Sequence, residues 1–413
     1  MNTKNSMRKR IDRRTLIKGA GAIAGLAALP GMRIRLAHAQ EEINIGFLMP
    51  LTGAGGTEGP DMLKAAQGAV DEINRQGGPL GRRIRIFSED SQTDAETGVR
   101  AAKKLIEVNR VSAILGTWAS ATTLAVAPVA QAAEVVEMST SGASRITEIQ
   151  KGGFVYRTEP DDLLFGKAYA EMALQRGWKR ASVLGLNVPF TTSTVAAFQE
   201  RFESGGGKVL SFTTYNAEQT TFKAETIKAF EGDPDFIHIS GYQPDVTGIL
   251  RAAYQANLRG RFVVPFWTIT TSTIANLGPA AEGVIIVAEG VNEDSPGYAV
   301  VKRILPGAGY HPHPAQTYDM VHLVALAIEA SKDASGIGIN STLRRVSGPP
   351  GTPVSSFLEG AQRLRAGEEV DYQGASGPID FDENGNIVKA NFQVSEIQNG
   401  KITPTGLLED VVF

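Results

Sequence analysis

The 413-residue sequence contains no cysteine, and this absence excludes several kinds of chemistry. Disulfide bonds, a thiolate nucleophile, cysteine-ligated zinc, iron–sulfur clusters and a lipid-anchored N-terminal cysteine are all ruled out. Histidine is also scarce, with five residues, so a clustered metal site is not expected. Glycine, with 45 residues, is by contrast abundant and suits the tight turns and ligand loops of α/β proteins. The length favours two or three domains of about 150 residues each.

Basic charge is concentrated at the N-terminus. Residues 1–39 contain nine lysines and arginines and one aspartate, which is a net charge of +8. Because the whole chain has a net charge of −3, residues 40–413 carry a net charge of −11. Since phosphate contacts need basic patches, a body this acidic is poorly suited to nucleic acid. We therefore expect no nucleic-acid partner.

The N-terminal residues follow the order of a secretory signal. Residues 8–14 are basic, Gly19–Leu29 is an apolar run, and Ala37-His38-Ala39 has the small-x-small pattern of a cleavage site. The apolar run is shorter than the roughly 20 residues that span a bilayer. The segment DRRTLIK (12–18) is typical of a twin-arginine export signal. We predict cleavage near Ala39 and a location in the periplasm, the alternative being a disordered basic tail.

The remaining chain alternates short apolar strands with helices. A strand, a loop, a helix, a glycine stop and a second strand follow one another from Ile43 to Phe87 and again from Ala181 to Thr213, about 140 residues later. This repeat predicts an α/β fold of two similar doubly wound lobes with parallel central sheets. Asp61 is placed to cap the first helix, and Asn384-Gly385 predicts the turn of a C-terminal hairpin.

Motifs for catalysis or cofactor binding are incomplete. The loop TGAGGTEG (52–59) has two glycines of a dinucleotide fingerprint, but Glu58 stands at the third glycine position. His311 and His313 have no third ligand near them in the sequence and are interpreted as a surface loop. The serines Ser120, Ser139 and Ser141 lack a nucleophile-elbow motif. The acid pairs Asp161-Asp162 and Glu368-Glu369 are interpreted as solvated surface or helix caps. We predict no catalytic residue, no cofactor and no metal site.

Polar or aromatic loops follow several of the predicted strands. In open α/β sheets ligands bind beyond the carboxyl ends of the strands, and helices that begin there favour anionic groups. These loops therefore predict a ligand cleft between the lobes. The loops are Thr52–Glu58, Trp118–Thr123, Ser139–Ser144, Asn187–Thr192, Gly241–Gln243 and Phe266–Thr270.

Segments spread over residues 42–400 carry a family resemblance. They are INIGFLMPLTG (43–53), GAVDEINRQGGPLGRRIRI (68–86), AILGTWASATTLAVAPVA (113–130), YRTEPDDLLFG (156–166), GYQPDVTGILRAAYQANL (241–258), GPAAEGVIIV (278–287) and GPIDFDENGNI (377–387). In this order and spacing the sequence resembles a type I periplasmic solute-binding protein of the leucine/isoleucine/valine-binding group, which serves an ABC importer.

The resemblance implies a non-enzymatic, monomeric clamp. Its lobes would be 42–158 with 289–371 and 159–288 with 372–413, joined by crossing strands and closed by hinge motion. The implied partners are a small solute, which is an amino acid, a small carboxylate or an amide, and the membrane permease of an ABC importer. The alternative is a soluble sensor of the same fold that presents its ligand to a receptor. An exported enzyme is disfavoured because the catalytic motifs are incomplete.

The resemblance also implies a set of ligand-binding residues. Ser120 and the loop Thr140–Gly142 would hold a carboxylate, and Phe190 and Tyr242 would contact the ligand body. Phe266 and Trp267 stand where the family has the acid that meets an α-ammonium group, so an apolar or aromatic carboxylate or amide is expected rather than a branched-chain amino acid. Glu58 or Asp245 could supply the acid instead, or the rings could hold the ammonium by cation–π attraction. The predicted set is Glu58, Trp118, Ser120, Thr140, Ser141, Gly142, Phe190, Tyr242, Phe266 and Trp267.

Overall fold

The first of two main sheets has five strands. The computed structural model describes residues 41–149, 153–217, 219–306, 310 and 312–412, so the predicted signal peptide and His311 lie outside the described residues. Every pairing in this sheet is parallel, in the order β2-β1-β3-β4-β5. The strands are β1 (Ile43–Met49), β2 (Ile84–Asp90), β3 (Ala113–Thr117), β4 (Val136–Ser139) and β5 (Val155–Arg157).

Helices cover both faces of this sheet, as parallel strands require. The helix Pro312–Ser331 is buried on nearly all sides because its neighbours pack around it, and it forms the centre of the lobe. The two-stranded parallel sheet of β11 (Thr352–Val354) and β12 (Val370–Tyr372) lies beside it. The helices are α1 (Gly59–Arg75), α2 (Ala95–Lys103), α3 (Ser120–Ala132), α4 (Arg145–Glu148), α10 (Pro296–Ile304), α11 (Pro312–Ser331), α12 (Gly336–Ser347) and α13 (Phe357–Arg365).

The second main sheet has seven strands in the order β14-β13-β10-β9-β8-β6-β7. Strands β6 to β10 pair in parallel, and β13 is antiparallel to both β10 and β14. Its strands are β6 (Arg180–Leu186), β7 (Lys208–Tyr215), β8 (Phe236–Ser240), β9 (Phe262–Pro265), β10 (Ile285–Glu289), β13 (Lys389–Gln398) and β14 (Lys401–Val412). Its helices are α5 (Asp162–Gln175), α6 (Pro189–Ser204), α7 (Lys223–Ala229), α8 (Gln243–Gln255) and α9 (Thr271–Leu277).

In the described part of the chain, three connections join the lobes, at residues 158–161, 290–295 and 373–388. Two of them run side by side, since Pro160 and Ile387 form a parallel bridge. The predicted lobe boundaries fall within or next to these connections and stay a prediction. The predicted α/β fold with parallel sheets in two lobes is confirmed. Among the described helices, none has the length and apolar composition that a membrane crossing needs.

Two local predictions need correction. Helix α1 begins at Gly59, with Glu58 as the N-cap residue, so Asp61 lies in the first turn and pairs with Lys64 at 2.9 Å. The long C-terminal hairpin of β13 and β14 turns at Asn399-Gly400, where φ is 53° and 72°. The pair Asn384-Gly385 forms only a local turn before β13, closed by the Gly385 amide donating to the Asp382 carbonyl at 3.0 Å.

Candidate functional site

A small cavity lies between the carboxyl ends of strands from both sheets. Its volume is about 20 Å³, which is space for about one water molecule, so the two lobes are closed on each other. Seven of the ten predicted ligand-binding residues line it. The full lining is Trp118, Ala119, Ser120, Thr140, Gly142, Glu159, Asp162, Phe190, Tyr242, Trp267 and His313.

The first lobe contributes hydrogen-bond donors to the cavity. Ser120 is the first residue of α3, where backbone N–H groups have no carbonyl partner within the helix. Its Oγ accepts from the Ala143 amide at 3.3 Å, which leaves the hydroxyl hydrogen for another acceptor. The buried Thr140 Oγ1 has no partner among the described residues. This side can therefore hold an anionic oxygen through hydroxyls and a helix N-terminus.

The second lobe contributes aromatic rings. Phe190 lies in the first turn of α6, Tyr242 caps α8, and Trp267 lies in a 3₁₀ turn after β9. Tyr242 lies between Phe190, at 5.4 Å, and Trp118 of the other lobe, at 5.2 Å between ring centroids. The Trp267 ring meets Phe190 edge-on at 5.8 Å. These rings form an apolar wall that closes against the first lobe.

Three predicted residues do not line the cavity. The Ser141 hydroxyl points into the first lobe and donates to the Trp118 carbonyl at 2.8 Å. Phe266 packs on the His313 ring at 4.7 Å. Glu58 reaches the same histidine, with its Oε2 atom 2.9 Å from Nδ1.

Two carboxyl groups in the lining were missed by the sequence analysis. Glu159 and Asp162 are each 3% exposed, and neither Glu159 Oε2 nor Asp162 Oδ2 has a hydrogen-bond partner in the described part of the chain. Asp162 was interpreted as solvated surface or a cap, and the solvated interpretation is wrong. It packs against the first lobe so closely that a Cβ atom at Gly142 would lie 2.2 Å from its Oδ1 atom. Its neighbour Asp161 does cap α5 and pairs with the buried Arg157.

Burial raises the pKa of both carboxyl groups well above the ordinary range. The charges of Asp161 and Glu159 raise the pKa of Asp162 further, and Arg157 acts in the opposite direction. The Glu289 charge raises the pKa of Glu159, and His313 lowers it. Among the described lining residues there is no lysine or arginine. Burial is therefore the largest cause of the raised pKa of each group.

His313 is not part of a surface loop, as the sequence analysis expected. It is 1% exposed in the first turn of α11, and the Trp118 indole N–H donates to its Nε2 atom at 3.3 Å. Possible ligand atoms of Glu159, Glu289 and His313 lie within 4.8 Å of one another. No sequence pattern predicts this cluster, because its members come from separate elements that only the fold brings together.

Asp245, an alternative acid in the sequence analysis, is turned away from the cavity. Its carboxylate accepts from the Tyr215 hydroxyl and from the Tyr242 amide, the latter at 3.1 Å. Burial raises its pKa to about 6. It therefore holds the start of α8 and does not meet the cavity.

Comparison with known proteins identifies a family and several related proteins. Residues 42–401 match the family described as periplasmic binding protein. The leucine-, isoleucine-, valine-, threonine- and alanine-binding protein of Pseudomonas aeruginosa is 24% identical over 398 residues, covering 94% of this chain and 97% of that protein. A solved leucine-binding protein from Thermotoga maritima is similar with a TM-score of 0.75 at 24% identity, covering 89% of this chain and 99% of that chain. A solute-binding protein of an ABC transporter from R. palustris, solved with benzoate, has a TM-score of 0.74 at 20% identity, covering 90% and 98%. The resemblance inferred from the sequence is confirmed, and the chain belongs to the periplasmic binding protein family.

Proposed function

We propose that this protein is the periplasmic substrate-binding component of an ABC importer and that it captures a small zwitterionic solute, an α-amino acid. The observation that carries the proposal is the lining of one interlobe cavity. Hydrogen-bond donors lie on one side of the cavity and aromatic rings on the other. Asp162 also lines it, and its Oδ2 atom has no hydrogen-bond partner among the described residues. We propose no catalytic role and no cofactor.

The carboxylate of the solute would be held by the first lobe. Ser120 can donate its hydroxyl hydrogen because its oxygen already accepts from the Ala143 amide. Thr140 offers a second hydroxyl, which has no partner within the described residues, and the first residue of α3 lines the same cavity. Hydrogen bonds to a charged group contribute about 1.5–3 kcal/mol each. This arrangement supports binding of an anionic group without a lysine or arginine.

Asp162 supports an amino acid over a simple carboxylate. In the sequence, Phe266 and Trp267 stand where an acid was expected, and this predicted a solute without an ammonium group. In the structure Asp162 brings a buried carboxyl from the start of α5, and its Oδ2 atom has no partner within the described residues. An ammonium group beside it would supply the missing donor and the compensating charge.

The aromatic wall favours a second candidate, an aromatic carboxylate. Trp118, Phe190, Tyr242 and Trp267 all line the cavity, and flat rings pack well against such a wall. The R. palustris protein with benzoate has the same fold. In this alternative Asp162 would remain protonated and donate a hydrogen bond to the solute.

A panel of matched solutes separates the two candidates. Leucine, isoleucine and phenylalanine would be compared with 4-methylpentanoate and 3-phenylpropanoate, which lack only the ammonium group, and with benzoate. Thermal shift followed by calorimetry should show micromolar binding of at least one amino acid and weaker binding of its deaminated partner. Tighter binding of benzoate or of the deaminated acids would contradict the amino-acid assignment and leave the importer role standing.

Export and the membrane partner belong to the same proposal. We propose that residues 1–39 direct export and are removed near Ala39, and that the mature, monomeric protein delivers its solute to a permease. Deletion of the gene should abolish high-affinity uptake of the solute found in the panel. Normal uptake with a lost behavioural response to that solute would instead favour the sensor alternative.

A further inference from the structure

We propose that a buried group of side chains at the junction of the lobes binds one divalent transition-metal ion, tested here as Zn²⁺. The group is the acid–histidine cluster, defined as Glu58, Glu159, Glu289, His313 and Gln316. Glu159, Glu289 and His313 would ligate the ion, with the side-chain oxygen of Gln316 as the fourth ligand. The inference is independent of which solute the cleft binds.

The three proposed ligands come from three different elements. Glu159 follows β5 in the first connection between the lobes, Glu289 ends β10, and His313 lies at the start of α11. Their possible ligand atoms lie within 4.8 Å of one another, and Glu159 Oε2 is 3.8 Å from His313 Nε2. Ligands around a tetrahedral ion with bonds of about 2.0–2.2 Å lie about 3.4 Å apart. Movements of about 1 Å in these side chains would therefore bring the ligand atoms to tetrahedral spacing.

Three buried oxygen atoms of the acid–histidine cluster lack a hydrogen-bond partner among the described residues. These atoms are Glu159 Oε2, Glu289 Oε2 and Gln316 Oε1. The amide nitrogen of Gln316 donates to Glu289 Oε1 at 3.1 Å. This hydrogen bond fixes the orientation of the amide and leaves the Gln316 oxygen available as a ligand. Buried acceptors without partners carry a large desolvation cost. A single cation would satisfy all three atoms.

The histidine is already oriented as a metal ligand. Its Nδ1 atom is 2.9 Å from Glu58 Oε2, and Trp118 donates its indole N–H to Nε2. Because Nε2 accepts from Trp118, the proton is on Nδ1 and is donated to Glu58. In many metal sites the ligating histidine donates the N–H of its other ring nitrogen to a carboxylate. Binding of the ion would displace the Trp118 N–H from Nε2.

Charge and donor type select the ion. Glu58 Oε2 lies 2.9 Å from His313 Nδ1 and Glu159 Oε2 lies 3.8 Å from its Nε2, so within the described residues three glutamates surround one histidine. Imidazole nitrogen combined with carboxylate oxygen suits Zn²⁺ or Mn²⁺ better than Ca²⁺ or Mg²⁺, which prefer oxygen ligands alone. Zn²⁺ binds nitrogen-containing sites more tightly than Mn²⁺ does. We therefore expect Zn²⁺ to bind most tightly of these four.

A second cavity gives the ion a route to the cluster. This hinge cavity has a volume of about 640 Å³ and is lined by the connections between the lobes and by β13 and β14. Glu289 and Gln316 form part of its wall, together with the acidic Glu293 and Asp380. Acidic walls attract cations. The ion can thus reach the cluster while the solute cavity is closed.

Calorimetry with the untagged protein tests the site. After treatment with EDTA and its removal, solute-free protein would be titrated at pH 7 with ZnCl₂ and separately with Mn²⁺, Ca²⁺ and Mg²⁺. We expect one Zn²⁺ per chain at micromolar affinity or better, with a change in tryptophan fluorescence. Glu289→Gln and Glu159→Gln should each weaken binding at least 100-fold, and Glu58→Gln about 10- to 100-fold.

Glu137→Gln is the matched control, because Glu137 is an equally buried glutamate of the first lobe outside the cluster. It should bind Zn²⁺ like the unchanged protein. The melting temperature of each variant in EDTA checks folding, and anomalous diffraction from Zn²⁺-soaked crystals locates the ion if a variant does not fold. Absence of Zn²⁺ binding at 100 µM, unchanged binding by Glu289→Gln, or an ion found away from His313 would overturn the proposal.

Discussion

Replacement of Asp162 by asparagine tests the assignment of the solute. The carboxyl is 3% exposed, and its Oδ2 atom has no partner in the described part of the chain. An ammonium group at this point would gain a charge-assisted hydrogen bond of about 1.5–3 kcal/mol, so Asp162→Asn should weaken amino-acid binding about 10- to 150-fold. The variant keeps the shape of the side chain and should bind the deaminated acid as before or more tightly. Calorimetry of both ligands measures the difference.

The pH dependence gives the same test a second readout. Burial raises the pKa of Asp162 well above its ordinary value, and an ammonium ion binds the ionised form. Binding then releases a proton, so amino-acid affinity should increase with pH by up to about tenfold per unit below that pKa. Asp162→Asn should show a weaker dependence. Glu137→Gln is the control, because Glu137 is a buried acid of the first lobe that does not line the cavity, so this variant should leave affinity close to that of the unchanged protein. Equal affinity of Asp162→Asn for leucine, or an equal loss for the deaminated acid, would refute the reasoning.

Three further outcomes are expected. Ser120→Ala should weaken solute binding about 10- to 100-fold by calorimetry, with little change in the melting temperature of the empty protein; unchanged affinity would move the carboxylate site elsewhere. Burial raises the pKa of Glu137 to about 8 from 4.5, so the folded state holds a proton that the unfolded state has lost between these values. The free energy of unfolding should therefore fall as pH rises through that window, by up to roughly 5 kcal/mol, and Glu137→Gln should flatten the fall in denaturant titrations at pH 5 and 8; parallel curves would contradict it. Replacing Arg13 and Arg14 with lysine should retain the precursor in the cytoplasm, as fractionation would show, whereas a normal periplasmic yield would exclude the twin-arginine route.

Most of the fold could be predicted because its signals are local. The apolar run Ile43–Met49 is a buried strand over the same residues, and Gly77-Gly78 follows the end of α1 with φ of 102° and 71°. Such patterns depend on neighbouring residues alone. Asn384-Gly385 does form a turn, but the long C-terminal hairpin turns at Asn399-Gly400, which has the same local chemistry. Only the long pairing of β13 with β14 distinguishes them, and that pairing is a property of the whole sheet.

The loops of the candidate site were also predictable, but the acids in it were not. Trp118, Ser120 and Tyr242 follow strand ends, and parallel strands bring such ends to one edge. Glu159 and Asp162 follow β5 in the same way, yet a pair of acids after a strand has the composition of ordinary surface. Their burial depends on the closure of the lobes. The neighbours of His313 were likewise not predictable, because they come from separate elements that meet only in the folded protein.

The contact between Trp118 and Tyr242 has a consequence for affinity. The two rings belong to different lobes and lie 5.2 Å apart, with space for only about one water molecule beside them. A solute can therefore enter only after the two rings separate. The measured dissociation constant is then the intrinsic dissociation constant of the open form divided by the fraction of molecules that are open. Each 1.4 kcal/mol that stabilises the empty closed form weakens apparent affinity about tenfold. The strength of this ring contact thus sets, in part, the solute concentration at which the protein fills.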